Sequence, residues 1–157
     1  MSGHRMAGAI AGGLVAGLGI TAMLMAGEKK SGKPSELTTL ERATAAKLGL
    51  QTPLPDALPG TGEQAVIQGG HLALSALAAV VYAATTDDDA HVIPSGITFG
   101  LAFYAAAHWI TGPALGVKPP EWRADKAMLG MHTMNHVAFG LITAAAAKLA
   151  HGLRRVS

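Results

Sequence analysis

Four apolar stretches, residues 7–26, 65–84, 93–115 and 127–149, leave this chain few folds to choose from. Each holds about the ~20 residues that a helix needs to cross a ~30 Å hydrocarbon layer. Residues 6–27 contain no Asp, Glu, Lys, Arg or His, and the later stretches carry histidine as almost their only ionisable type. With 50% hydrophobic and 14% charged residues, four such helices in one soluble domain would leave little amphipathic surface. The expected fold is therefore all-α: one integral membrane four-helix bundle over residues 1–157, with the lipid bilayer as its first partner.

A chain of 157 residues is one domain's worth. The absence of cysteine excludes disulfides and thiolate metal sites. A formal charge of +2 without a dense basic run gives nucleic acid nothing to bind. The first apolar run exceeds the ~7–15 residues of a signal-peptide core, and Leu24-Met25-Ala26 lacks the small residue a cleavage site needs at its first position. A retained first span is expected.

That first span is rich in small residues. Gly8 and Gly12 form one GxxxG pair, and Gly13 and Gly17 another. Small residues four apart let two helix backbones approach closely in lipid, so these glycines are expected to pack inside the bundle. Residues 28–63 form a polar connection. Within it, Thr38-Thr39-Leu40-Glu41 reads as a capping box opening a short helix that Gly49 ends. Leu37, Leu40 and Leu48 share a face of that helix, with Glu41, Arg42 and Lys47 elsewhere. It would lie on the membrane surface or pack against another loop.

The aspartates Asp87, Asp88 and Asp89 belong to a turn feeding the third helix, whose first turn accommodates Pro94. Pro113, Pro119 and Pro120 end that helix, and Trp109 and Trp122 bracket its exit as interfacial tryptophans do. The loops at residues 27–64 and 116–126 carry eight Lys and Arg, against Arg5, Lys148, Arg154 and Arg155 on the other side. The positive-inside rule puts those loops in the cytoplasm and both termini outside.

The chemistry lies with the histidines. His71, His108, His132 and His136 all fall near the same end of their spans, roughly 8–14 Å deep at ~1.5 Å per residue. Gln68, His71 and Ser75 share a helical face; so do Tyr104 and His108, continuing a line from Gly96 and Gly100. His132, His136, Gly140 and Thr143 form the polar, small-residue stripe of the last span. Polar groups in a span face protein or water, so the three stripes are expected to meet.

Such a layer could sense or relay protons, since imidazole titrates near pH 6.5. It could bind zinc through three neutral rings, or a b-type haem through two. It could equally be interhelical hydrogen-bonding glue. The sequence commits to no cofactor. His132 and His136 lack the glutamate of a metalloprotease motif, no carboxylate lies within a span, and no catalytic triad or phosphate-binding loop appears. His4, His91 and His151 sit at ends or turns. Catalysis is not expected.

At these residues the chain resembles the YagU-like family of uncharacterised bacterial inner-membrane proteins. The similarity covers residues 71–155. It rests on the histidine opening the second span, the segment SGITFGLAFYAAAHWITGPALGVKPPEW, and HVAFGL leading to a basic tail. His71, His108, Pro113, Gly116, Pro119, Pro120 and His136 match the pattern; His132 lies outside it. The chain is poorer in aromatics, at 4%, and its first loop is shorter than the family's. The resemblance implies a multi-pass inner-membrane protein loosely associated with acid tolerance. Two further readings stay open: a haem- or metal-binding redox subunit, and a structural or assembly subunit that docks a membrane-protein partner or a second copy of itself.

Overall fold

The computed structural model describes residues 2–153, without the side chain of Leu153, and every regular element among them is helical. Arg154 and Arg155 of the basic tail lie outside the described residues.

Helix α1 (Gly3–Ser31) overruns the first apolar stretch at both ends. Ser2 caps its start by accepting from the Arg5 amide. Lys29 and Lys30 in its last turn suit the helix dipole, and Gly32, at φ 67°, supplies the left-handed residue that stops it.

Helix α2 (Glu36–Lys47) begins earlier than the capping-box reading placed it. Its cap is Ser35, whose hydroxyl accepts from the Thr38 amide at 3.3 Å. Thr38 is instead fully buried and donates its hydroxyl to Glu28 Oε1 at 2.6 Å. A carboxylate from α1 thus took the hydroxyl that local spacing had assigned to a cap. The helix ends as expected, with Gly49 at φ 75°.

Of the shared leucine face, Leu37 and Leu40 turn inward while Leu48 is exposed. Arg42, expected away from that face, is buried. It grips Glu63 at the start of α3 (Thr61–Thr85) with two bonds of 2.7 and 3.0 Å, and donates to the Leu54 carbonyl of the proline-rich return. Helix α2 therefore lies against the other loops as a cover.

The third rod is one uninterrupted helix of three windings. It comprises α4 (Val92–Tyr104), a π-helical segment (Ala105–Thr111) and α5 (Gly112–Leu115). The Gly112 amide reaches back five residues to the Ala107 carbonyl, which is the wide turn. Sequence periodicity suggested a uniform helix here. A single 3-10 turn (Glu121–Arg123) precedes α6 (Lys126–Leu153).

Helix α1 packs along α3 on one side and α6 on the other, and α4 packs along α6. The two GxxxG pairs divide this work. A Cβ on Gly8 or Gly12 would sit 2.4 or 2.6 Å from the Cβ of Ala150 or Ala146 on α6. One on Gly13 or Gly17 would sit 2.7 Å from Ala79 Cβ or 2.6 Å from Ser75 Oγ on α3. The closest seam is between α4 and α6: a Cβ on Gly140 would lie 2.1 Å from the Gly96 oxygen, and one on Gly100 2.3 Å from the His136 oxygen. The core between the rods is small, formed by Ala9, Ala79, Tyr82, Ala83, Ala144 and Ala147.

Large apolar side chains point outward instead, among them Val15, Leu18, Leu77, Val81, Ile110 and Leu149. Helices α1 and α3 are long and apolar enough to cross a membrane.

Candidate functional site

The two ends of the bundle differ. At the end holding Ser2 and the aspartate turn, Arg5 is buried, donates to the Ala83 carbonyl at 2.7 Å and to the Thr86 hydroxyl, and stacks 5.6 Å over the Tyr82 ring. Asp88 lies 3.7 Å from it, while Asp87 and Asp89 are exposed. That turn is more than a solvated loop, because one aspartate faces a buried cation.

The opposite end carries the histidines. His108 and His132 have ring centroids 4.4 Å apart, and His108 and His136 4.9 Å. Tyr104 packs against all three at 5.3 to 6.1 Å. His71 does not join them. It stands across a cavity and bonds to Thr21 of α1 at 3.1 Å. His132, the ring outside the family pattern, is at the centre.

What organises the cluster is a pair of carboxylates from the loops. Gly116, at φ 63°, ends the third rod, and Pro119 and Pro120 fold the chain back beneath it. This return buries Glu121, which is 1% exposed. Its Oε1 accepts from Tyr104 Oη at 2.9 Å and faces His132 Nδ1 at 2.5 Å; its Oε2 accepts from Lys118 Nζ at 2.7 Å. Glu36, on the first turn of α2, accepts from the same Lys118 at 2.7 Å and from His132 Nε2. The third Lys118 proton goes to His108 Nδ1 at 2.7 Å. Gly112 leaves room for the lysine stem, since a Cβ there would lie 2.8 Å from Lys118 Cγ.

Hydrogen-bond direction then fixes protonation. Both nitrogens of His132 face carboxylate oxygens, which only accept, so both donate and the ring is an imidazolium. His108 accepts from an ammonium at Nδ1, so it is neutral with its proton on Nε2. The charges of Glu36, Glu121, Lys118 and His132 sum to zero. Burial alone would raise the Glu121 carboxyl, but the bonds from Lys118, His132 and Tyr104 outweigh it and hold it at about 2. Glu36 likewise would rise with burial, and His132 and Lys118 bring it down to about 2. Burial would lower Lys118; Glu121 and Glu36 reverse this and hold it above the usual lysine value.

Glu36, His108 and His132 each offer a donor atom, all within 4.8 Å of one another, a spacing that could hold a metal ion. The Lys118 ammonium already serves as the cation there, bonded to Glu36 and His108, and both His132 nitrogens are taken. A metal would have to displace the lysine and strip His132 of a proton. A haem between His108 and either His132 or His136 meets a simpler obstacle: those rings touch each other directly and leave no slot for the macrocycle.

Sequence reasoning missed Glu36, Lys118 and Glu121. It sought carboxylates inside the spans, where there are none. The usable signal was that acidic residues of both neighbouring loops flank the end where the histidines lie.

The chain matches no protein-family model, no curated protein and no solved structure, so the geometry of the site carries the functional reading.

Proposed function

We propose that this is a proton-responsive protein of the bacterial inner membrane, crossing it with all four rods, with the loops at residues 27–64 and 116–126 on the cytoplasmic side. The reading includes membership of the YagU-like family and its link to acid tolerance. Support for the membrane comes from the inverted packing: alanine and glycine inside, large apolar side chains outside. The last rod is included in this reading because its polar stripe faces inward, towards the other helices.

The observation that carries the proton reading is the Lys118–His108 bond. His108 can accept from Lys118 only while Nδ1 is unprotonated. A proton there removes the acceptor and sets a third positive charge beside Lys118 and His132. Of the other groups facing His108, Glu121 lies 3.6 Å away and is already neutralised by its own partners; His136 and Tyr104 are the remaining ring neighbours. Lys118 is also the tie between Glu36 on α2 and Glu121 beneath the third rod. Protonation of His108 therefore loosens the cover helix from the bundle.

Trp109 and Trp122 adjoin His108 and Glu121, with ring centroids 6.2 Å apart, and report on this region directly. An acid titration of their fluorescence in the reconstituted protein should show a reversible transition. His108→Gln, whose amide oxygen still accepts from Lys118 but cannot titrate, should diminish it, leaving only the change that Glu36 and Glu121 bring as they protonate below about 4.5. An identical transition in the variant would overturn the reading.

The three-donor spacing supports one alternative, a metal-binding subunit. About one zinc per purified chain, lost in His108→Gln, would favour it.

A further inference from the structure

A cavity of about 180 Å³ separates His71 from the other histidines. Leu24, Leu74, Phe103 and Phe139 give it apolar walls, and the cover helix closes one side with Leu37 and Leu40. It is slightly larger than the ~150 Å³ cavity that holds a benzene molecule elsewhere.

Its polar groups are few and have fixed directions. One direction is set far away, by Glu28 on α1. The Glu28 carboxylate can only accept, so Gln64 presents its amide nitrogen to it, at 2.6 Å. The Gln64 oxygen then accepts from Gln68 Nε2 at 2.9 Å, and the Gln68 oxygen accepts from the Thr21 hydroxyl at 2.9 Å. With its proton committed, Thr21 Oγ1 can only accept from His71 Nδ1, at 3.1 Å. The relay thus ends by placing the His71 proton on Nδ1 and leaving Nε2 as a bare acceptor. His136 reaches the same state by another route, because its Nδ1 donates to the His132 carbonyl at 2.9 Å.

Both rings line the cavity, and neither Nε2 has a hydrogen-bond partner among the described residues. The Asn135 amide lines it too, and His108 adds a free Nε2–H donor. The ion cluster lines the cavity through Glu36, Lys118 and His132, and with Glu121 it is balanced, so no net charge is left to call for an ionic ligand. Apolar aromatic walls, room for one ring and two open acceptors beside a donor describe a molecule with an aromatic body and a hydroxyl group.

We propose that this cavity binds a small neutral hydroxylated aromatic of the phenol or hydroquinone class, each hydroxyl donating to the Nε2 of one histidine: His71 or His136 for a phenol, both for a hydroquinone. At neutral pH His108 is unprotonated at Nδ1 and the cover helix is in place, so the site stands whether or not acid loosens that helix.

The test compares p-cresol with toluene, which has the same ring and methyl but no hydroxyl, on the full chain in nanodiscs with 15N-labelled histidine. Saturable p-cresol binding should move the Nε2 resonance of His71 or of His136, whichever accepts its single hydroxyl proton. Toluene should bind at least roughly tenfold more weakly after correction for partition into lipid, the loss expected when buried acceptors stay unpaired. Thr21→Val cuts the relay without touching the ligand, frees the His71 tautomer and should reduce the preference for p-cresol. Equal affinity for the two probes, or saturation that leaves both imidazoles unmoved, would overturn the proposal. Either result can be obtained whether or not the tryptophan titration succeeds, so failure here and failure of the proton reading are distinguishable.

Discussion

The two ends of the bundle solve the same problem with different materials. At the Arg5 end, alanines and glycines bring helix backbones into contact, and one guanidinium is satisfied by a carbonyl, a hydroxyl and an aromatic face. At the Lys118 end the rods stand apart, a cavity opens between them, and two carboxylates, an ammonium and an imidazolium hold the pieces together. Close packing gives stability and leaves nowhere to bind. Separation leaves room for a ligand and has to be bridged by charge.

The difference can be broken first at the charged end. Glu121→Gln strands a buried lysine and imidazolium with one carboxylate between them, and should cost about 3–5 kcal/mol in reversible unfolding in detergent. Gly140→Ala drives a methyl into the Gly96 carbonyl and should cost about 1–3 kcal/mol by the same measurement, through the seam alone.

Acid sharpens the contrast. The Glu36 and Glu121 carboxyls are held at about 2 in the fold against an ordinary 4.5. Because these pKa values are depressed, the stability they give is complete above about 4.5 and is lost as pH falls from there towards 2. Thermal scans across that window should show the decline in wild type and in Gly140→Ala alike, since the methyl added at Gly140 meets only the backbone of Gly96 and Gly100. They should show a shallower decline in Glu36→Gln. Smallest of all, Gly19→Ala adds a methyl where nothing lies within 4 Å and should leave stability unchanged within about 1 kcal/mol.

Hydropathy made the helices legible, because long apolar runs bounded by charge and proline admit few alternatives. The glycine spacing on α1 announced close packing, and the structure adds that the two pairs serve different neighbours. Gly96, Gly100 and Gly140 were visible as lines on their helices, but which line met which could not be read from one helix at a time. The histidine end was legible as a shared end of the helices and not in partnership. His132 is central because Glu36 and Glu121 reach it from sequence positions 96 and 11 residues away. No periodicity within a span records contacts made by a loop folding under it. His71 shows the converse: a residue at the expected end of the bundle whose partner, Thr21, turned it towards α1 and away from the other rings.

The π-helical segment gives the third rod an arithmetic of its own. A helix advances about 100° per residue, so one surplus residue in a wide turn re-aims everything downstream by that angle. Upstream, Gly96 and Gly100 point at α6; downstream, Gly112 sits under the Lys118 stem and the chain returns to bury Glu121. Deleting a single alanine from residues 105–107 would restore uniform winding and leave the glycine seam untouched. It would also swing Lys118 and Glu121 out of register with His132. The chemistry at this end is thus keyed to the number of residues between Gly100 and Gly112 as much as to which residues they are.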